Sequence, residues 1–411
     1  MNIPNLEDRR TRLAEALQPN EMIIIFGAPE PTYPRRFKQE NNFLYFTGLE
    51  TPNAAFVGYK TATSFFATLF IERQDPAMVV WEGAKTSPQD ATETSGIKNV
   101  HYLDQLPTHL NLWMPKVKTC YVNKATGGLG SGLNSEQQFI RTLKDHFPNV
   151  MFQSFMPIIT PLRACKDAWE IEQLSTAIEA TGKGIHRIFT DARPGMHEYQ
   201  LEALLRFEAM NCGLPHQGFF PIIASGLNAA TLHYHANNCP VGENEMVLLD
   251  VGADCLGYSA DISRTFPVSG TFTPRQREVY QAVLDINKEI ISMVKPGVTM
   301  TELNKRTVEL ITAALKKLGL IEKDEEYRKY YMHSVGHHLG MDTHDVGPRD
   351  EPLIPGHVIT VEPGLYIPEE AIGVRIEDDI LVTEEGYINL SVSIPKEVAE
   401  LEQICIRGDK Q

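Results

Sequence analysis

Nowhere in this chain do about 18 apolar residues run together, the length that a membrane-crossing helix requires, so no membrane span is expected. The first residues, MNIPNLEDRRTRLAEAL, also lack the apolar core of a secretion signal. Cysteine is sparse: the 6 are scattered at positions 120, 165, 212, 239, 255 and 405, with no CxxC pair, which argues against a disulfide framework and for reduced thiols. Together these absences point to the cytoplasm. Basic runs are missing too. Against 53 Asp+Glu stand only 38 Lys+Arg, a formal charge of -15, which excludes nucleic acid as an expected partner. Gly128-Leu129-Gly130, in GGLGSGLNSEQQ (127–138), is not part of a GxGxxG following a buried strand, so this segment reads as a loop leading into a helix and not as a phosphate cradle.

What is present fits a globular chain of more than one domain, with 42% hydrophobic and 22% charged residues over 411 positions. The first part alternates short β-rich runs (EMIIIFGAP, AAFVGYK, SFFATLFI, AMVVW) with helical segments, an α/β pattern. Pro157 and Pro161 mark a join, giving expected domains 1–157 and 158–411. The second is α+β. A long amphipathic helix from Asp167 to Ala192 and a second, HEYQLEALLRFEAMNCG, precede the strand-like FFPIIASG, MVLLDVG and YSADISRTF. The order then recurs. PRQREVYQAVLDINKEIISMV and TMTELNKRTVELITAALKKLG, the latter opened by the capping pair Thr299 and Glu302, precede HVITVEPGLYI and GVRIEDDILVT. Two helices followed by a hairpin, twice over, suggest a duplicated half.

Each hairpin carries acids at strand positions. If the first turn centres on Asp254 to Gly257, Asp250 and Asp261 stand opposite each other. If the second centres on Pro368 to Ala371, Glu362 faces Glu377, and Arg375, two residues earlier, emerges on the same side. Opposed carboxylates at the ends of apolar strands repel, and burial makes each one costly unless cations compensate. Two divalent metals about 3.5–4 Å apart would fit such a floor. HSVGHHLGMDTHDVG adds His333, His337, His338 and His344 on a loop bent by Gly336 and Gly340. His337 is the expected metal ligand, His333 and His344 are expected substrate or transition-state contacts, and His338 a packing or surface residue. An oxygen-rich set with one imidazole favours Mn²⁺ or Co²⁺ over a thiolate-type zinc site, though Zn²⁺ stays open. Upstream, LHYHANN offers His233 and His235, one of which is expected to line the same cavity. The alternative is that these acids are solvated strand ends.

The hairpin MVLLDVGADCLGYSADISRTF, the histidine loop, VEPGLYI and GVRIEDDILVT together resemble the metallopeptidases of pita-bread fold: methionine aminopeptidase, Xaa-Pro aminopeptidase (aminopeptidase P) and Xaa-Pro dipeptidase (prolidase). FKQENNFLYFTGLETPNAAFV and MVVWEG resemble the amino-terminal domain of aminopeptidase P. The resemblance implies a pseudo-symmetric catalytic domain with five metal ligands, Asp250, Asp261, His337, Glu362 and Glu377, of which Asp261 and Glu377 bridge two ions. His233, His333, His344 and Arg375 match the pocket positions, and Tyr366 and Trp81 are candidate walls for a proline ring, Trp81 in competition with a buried structural role. Glu362 would shuttle the proton. The implied reaction removes the first residue from peptides with proline second, by a homodimer or homotetramer. Prolidase, and a non-catalytic peptide-binding protein of the same fold, are the rival readings.

Overall fold

The computed structural model describes residues 3–32, 35–124 and 132–407. It divides into two compact units, Met1–Leu162 and Arg163–Gln411. Gly127 to Ser131 of the expected glycine loop lie outside the described residues; the helix expected to follow is Ser135–His146. Pro157 and Pro161 lie within a helix, Met156–Ala164. Pro157 sits in its first turn, where no backbone donor is needed.

The first unit is built on a six-stranded mixed sheet in the order Asn99–Tyr102, Phe65–Ile71, Ala55–Lys60, Glu21–Phe26, Thr119–Val122, Met151–Ser154. Its apolar centre comes from runs such as Met22, Ile24, Ala55, Val57 and Phe70, roofed by Leu106, Leu110, Ile140 and Leu143 from helices. One expected strand is absent. AMVVW forms a single helical turn, Val79–Glu82, with no buried residue. The Asp75 side chain accepts from Ala77 N–H and its carbonyl from Met78 N–H, starting a turn where β-branched residues alone suggested a strand.

The second unit shows the repeated order. Helices Ala168–Asp191 and Glu198–Asn211 precede the strands Ile222–Ser225, Met246–Val251 and Ile262–Pro267; helices Pro274–Met293 and Met300–Lys317 precede Val358–Val361, Gly364–Ile367, Ile372–Arg375 and Asp378–Val382. Each helix buries a stripe at helical spacing, for example Leu174, Ala177, Ile178, Thr181, Ile185 and Ile188. Asp167, Thr273 and Thr299 cap three of the four with reciprocal capping boxes. The Thr299 and Glu302 pair is the one expected from the sequence.

The hairpins differ from expectation in one register. Val361 pairs with Asp378 and Gly364 with Arg375, so the same register holds on both sides of the break at Glu362-Pro363 and Ile376-Glu377. Glu362 and Glu377 therefore stand opposite, as expected. In the first hairpin Asp250 pairs with Ser263, not Asp261. The turn is a two-residue one, Leu256-Gly257, both with positive φ (55 and 87). That is the backbone a tight hairpin prefers, and it moves the centre one residue beyond the four-residue turn assumed from the sequence. The run YSADISRTF is also broken, into Tyr258–Ser259 and Ile262–Pro267, leaving Asp261 in the interruption. Asp261 sits two residues from Ser263 and so remains diagonal to Asp250 on the same face.

The interruption depends on Gly252. A Cβ there would lie 1.8 Å from the Ala260 carbonyl oxygen. Gly252→Ala is expected to cost about 1–3 kcal/mol, the range for overpacking. Urea unfolding reads this directly, and an unchanged midpoint would refute the close approach.

Candidate metal centre

The two hairpins meet edge to edge. Glu377 N–H donates to the Ser263 carbonyl (3.0 Å), and Arg375 N–H to Thr265 Oγ1 (3.3 Å). This lays the strand bearing Ser263 beside Glu377 and brings acids from both hairpins to one floor. Carboxylate oxygens of Asp261 and Glu377 and a ring nitrogen of His337 all lie within 4.8 Å of one another. His337 Nε2 is 3.3 Å from Asp261 Oδ2 and 3.7 Å from Glu362 Oε1. Asp250 reaches the same cavity, of about 240 Å³, whose lining includes all five expected ligands.

The electrostatics of this floor are unfavourable without added positive charge. Burial, reinforced by Asp250, Asp379 and Glu362, holds the Asp261 carboxyl well above its ordinary range. Glu377 is raised in the same way, by burial and then by Asp261, Glu362 and Asp250. Burial pushes Glu362 up to about 7, against the pull of His337 and Arg375. Ser263 Oγ donates to Glu377 Oε2 (2.7 Å), yet Glu377 Oε1 is buried without a hydrogen-bond partner among the described residues. An unpartnered buried carboxylate oxygen on a residue that converges with another acid and an imidazole is a ligand position in want of a cation.

His337 is oriented for that task. Its Nδ1 faces the His338 carbonyl at 3.0 Å, which leaves Nε2 toward the acids, the usual arrangement of a metal-binding imidazole. His344 packs its ring 4.1 Å from that of His337 and, with His233, lines both this cavity and an adjoining one of about 500 Å³. Burial, with His337 and His233 nearby, lowers the His344 pKa and keeps it neutral. His333 lines the same cavity, but its ring nitrogens face protein groups. Its Nδ1 meets the Ser334 carbonyl (2.8 Å) and its Nε2 the Tyr366 hydroxyl (2.9 Å), so both nitrogens are committed inside the protein. Burial lowers its pKa to about 4.

Tyr366, expected as a wall of the proline cleft, lies in an inner layer, while Arg375, though buried, lines the cavity. Tyr366 is 0% exposed and bridges His333 to Arg375 Nη1 (3.0 Å). Arg375 also donates to Ser263 Oγ (2.7 Å) and Asp250 Oδ2 (2.5 Å), so its fork fixes both hairpins. Trp81, in the first unit, is 81% exposed, so the buried structural role weighed against it does not hold. His338 is buried and packs on His357 with ring centroids 5.0 Å apart.

Several residues escaped the sequence reading. Asp378 forms a buried cluster with Arg264 (2.9 Å) and Lys396 (2.6 Å) on the side of the strand away from Glu377. Asp379 accepts from Asp261 N–H (3.2 Å). Asn287, in a helix, donates to the carbonyls of Val361 (3.2 Å) and Ile376 (3.1 Å), the residues just before each acid of the second pair. Asp345 holds the histidine loop through Arg163 (2.6 Å) and Lys166 (3.0 Å). The alternation of IEDDI was the available signal for Asp378; an isolated Asn in an amphipathic helix carries none.

Comparison with known proteins agrees with this geometry. Residues 172–384 match the model of metallopeptidase family M24, and residues 6–121 match the aminopeptidase P N-terminal domain. The chain belongs to metallopeptidase family M24. It is 33% identical to the Xaa-Pro aminopeptidase of Haemophilus influenzae, covering 97% of this chain and 96% of that one. Among solved structures, a candidate aminopeptidase P from Bacillus anthracis superposes with a TM-score of 0.95 at 39% identity, covering 99% of each chain. Escherichia coli aminopeptidase P with the inhibitor Pro-Leu gives 0.92 at 32% identity over 100% of both chains. The two-unit architecture, with a pita-bread second unit, is thus that of the aminopeptidase P structures.

In an M24 chain the donor set fits divalent cations. Oxygen donors with one imidazole suit hard or borderline ions, and an unpartnered buried oxygen and raised carboxyl pKa values supply the need. One expected outcome concerns the metal-free protein. Native Glu362 keeps a proton that the unfolded chain releases, so its contribution to stability falls as pH rises from about 4.5 to about 7. The buried histidines titrate in the opposite sense, so this contribution is isolated by comparison with Glu362→Gln. Metal-free Glu362→Gln should gain on the wild type, by on the order of 1–3 kcal/mol, across that interval. Thermal melts at matched pH measure it, and a constant gap contradicts the raised value.

Proposed function

We propose that this chain is an Xaa-Pro aminopeptidase, releasing the first residue from peptides whose second residue is proline. The carrying observation is the convergence of Asp261, His337 and Glu377 within 4.8 Å on a buried acidic floor. It occurs in a chain similar over nearly its whole length to Xaa-Pro aminopeptidases. The ligands would be Asp250, Asp261, His337, Glu362 and Glu377, with Asp261 and Glu377 shared between two ions, most simply Mn²⁺. When bound, such ions acidify water and polarise a carbonyl.

The chain's own residues supply the rest. Glu362, whose Oε1 lies 3.7 Å from His337 Nε2 on the cavity floor, is placed to take a proton from the attacking water and return it to the departing prolyl nitrogen. His344 is the better donor to the developing oxyanion, since both nitrogens of His333 are already engaged. His333, Tyr366 and Arg375 act as a relay of fixed orientation behind Asp250. The free α-amine of the substrate would lie beside Asp250, which limits cutting to the first bond. His233 would contact the substrate from the opposite wall. We further propose that the catalytic unit is 158–411, that the protein acts in the cytoplasm as a homodimer or homotetramer, and that Trp81, exposed on domain 1–157, meets the proline ring of a substrate held by a second copy.

Two assays test this. Arg-Pro-Pro should be hydrolysed and Gly-Pro left intact; cleavage of the dipeptide alone would mark a prolidase. Activity should vanish with a chelator and return with Mn²⁺. His344→Ala should lower kcat roughly 100-fold or more, with little change in KM, as for loss of an oxyanion donor. A variant with wild-type kcat would remove His344 from the mechanism.

A further inference from the structure

We propose that Glu198, which lies outside the cavities, is a positioning residue for His233; this rests on the reading of His233 as a substrate contact. The Glu198 side chain is 0% exposed. Its Oε1 accepts from Ser225 N–H (2.8 Å), Ser225 Oγ (2.9 Å) and Asn228 Nδ2 (3.0 Å). Its Oε2 accepts from Tyr234 OH (2.7 Å) and Cys239 N–H (3.0 Å). These donors span a single excursion of the chain, residues 225–239, and all are neutral. One carboxylate therefore gathers the entry, the first turn, the middle and the exit of the segment that carries His233 and His235.

A second pin comes from the next turn of the same helix. Asn237, buried with φ 43, accepts from Ile223 N–H (3.1 Å) and donates to Glu202 (2.9 Å) and the Pro221 carbonyl (2.8 Å). Glu198 and Glu202, four apart, share a helix face. By contrast, the His233 ring makes no hydrogen bond among the described residues, so its place is set by the backbone it hangs from, next to the anchored Tyr234. Acceptors at the core of a polar hub hold their donors in one arrangement because each unmade bond in the interior is costly. The segment also bears on the catalytic sheet. A Cβ at Gly373 would lie 2.0 Å from the Ala229 carbonyl oxygen, so this excursion is seated directly on the strand that ends at Arg375.

Glu198→Gln keeps the volume but turns one acceptor into a donor, which opposes at least one of the backbone N–H groups. The test is a double-mutant cycle with His233→Ala, assayed on a tripeptide with proline second, using the metal-loaded full chain. Glu198→Gln alone should lower kcat/KM roughly ten- to hundredfold, the loss that a misplacement of about 1 Å brings. In the His233→Ala background it should add less than about twofold. Hydrogen exchange should quicken in residues 225–239 and nowhere else, with metal content unchanged. Tyr234→Phe, which removes one of the five bonds, runs through the same cycle should Glu198→Gln fail to fold. Independent, multiplying losses in the two backgrounds would overturn the positioning role. Wild-type kcat/KM in His233→Ala alone would instead refute His233 as a substrate contact, and the positioning role with it.

Discussion

Mutual repulsion among carboxylates that the fold crowds onto one largely buried floor governs this structure. Asp250, Asp261, Glu362 and Glu377 come from two hairpins and are confined to the floor of one small cavity. Left alone, such a group protonates or drives the strands apart. Arg375 pairs directly with Asp250 and pulls more weakly on the other three acids, which stay raised. The remaining acids, with His337 facing them, would be held as anions by divalent cations, which would also lower the pKa of bound water. Stability and chemistry thus arise from one feature.

The frame around the floor is rigid where the floor is unfavourable. Asn287 satisfies the carbonyls on either side of the Glu362 and Glu377 interruption. Arg264, wholly buried, donates to the Glu377 carbonyl (2.5 Å) while pairing with Asp378, so charge behind the strand balances charge in front of it. Three of the four acids occupy, or flank, a break in a regular strand. Pro363 and Gly252 produce those breaks, one by lacking a donor and one by admitting a carbonyl where a Cβ would stand. Irregular backbone here frees carboxylates from the pleat and turns them toward a common point.

How much of this could be read beforehand depended on the type of signal. Periodicity located the helices, and reciprocal caps such as Thr299 with Glu302 marked their starts. Symmetry about a turn placed Glu362 opposite Glu377, because the hairpin keeps its register across the break. The same reasoning misplaced Asp261 by two residues along its strand, since Leu256 adopts a positive φ that leucine rarely takes and the turn is tighter than its composition suggests. Val79, Val80 and Trp81 read as strand on propensity alone, but they form an exposed helical turn started by Asp75. Tyr366 was expected as a wall of the cleft and is fully buried behind it; its depth depends on how the hairpins pack, which is a tertiary fact. Glu198, Asn287 and Asp345 were invisible. A glutamate in a first helical turn looks like dipole compensation, and an asparagine within an amphipathic helix looks like an exposed position.

The central claim is that these acids exist to hold two cations, and direct elemental analysis of the purified protein at neutral pH, after exposure to Mn²⁺ and removal of the excess, tests it most simply. About two equivalents of metal per chain are expected, falling when Asp261 or Glu377, the proposed shared ligands, is made an amide. A wild-type protein that retains no metal, or one whose metal content is indifferent to both substitutions, would contradict the account.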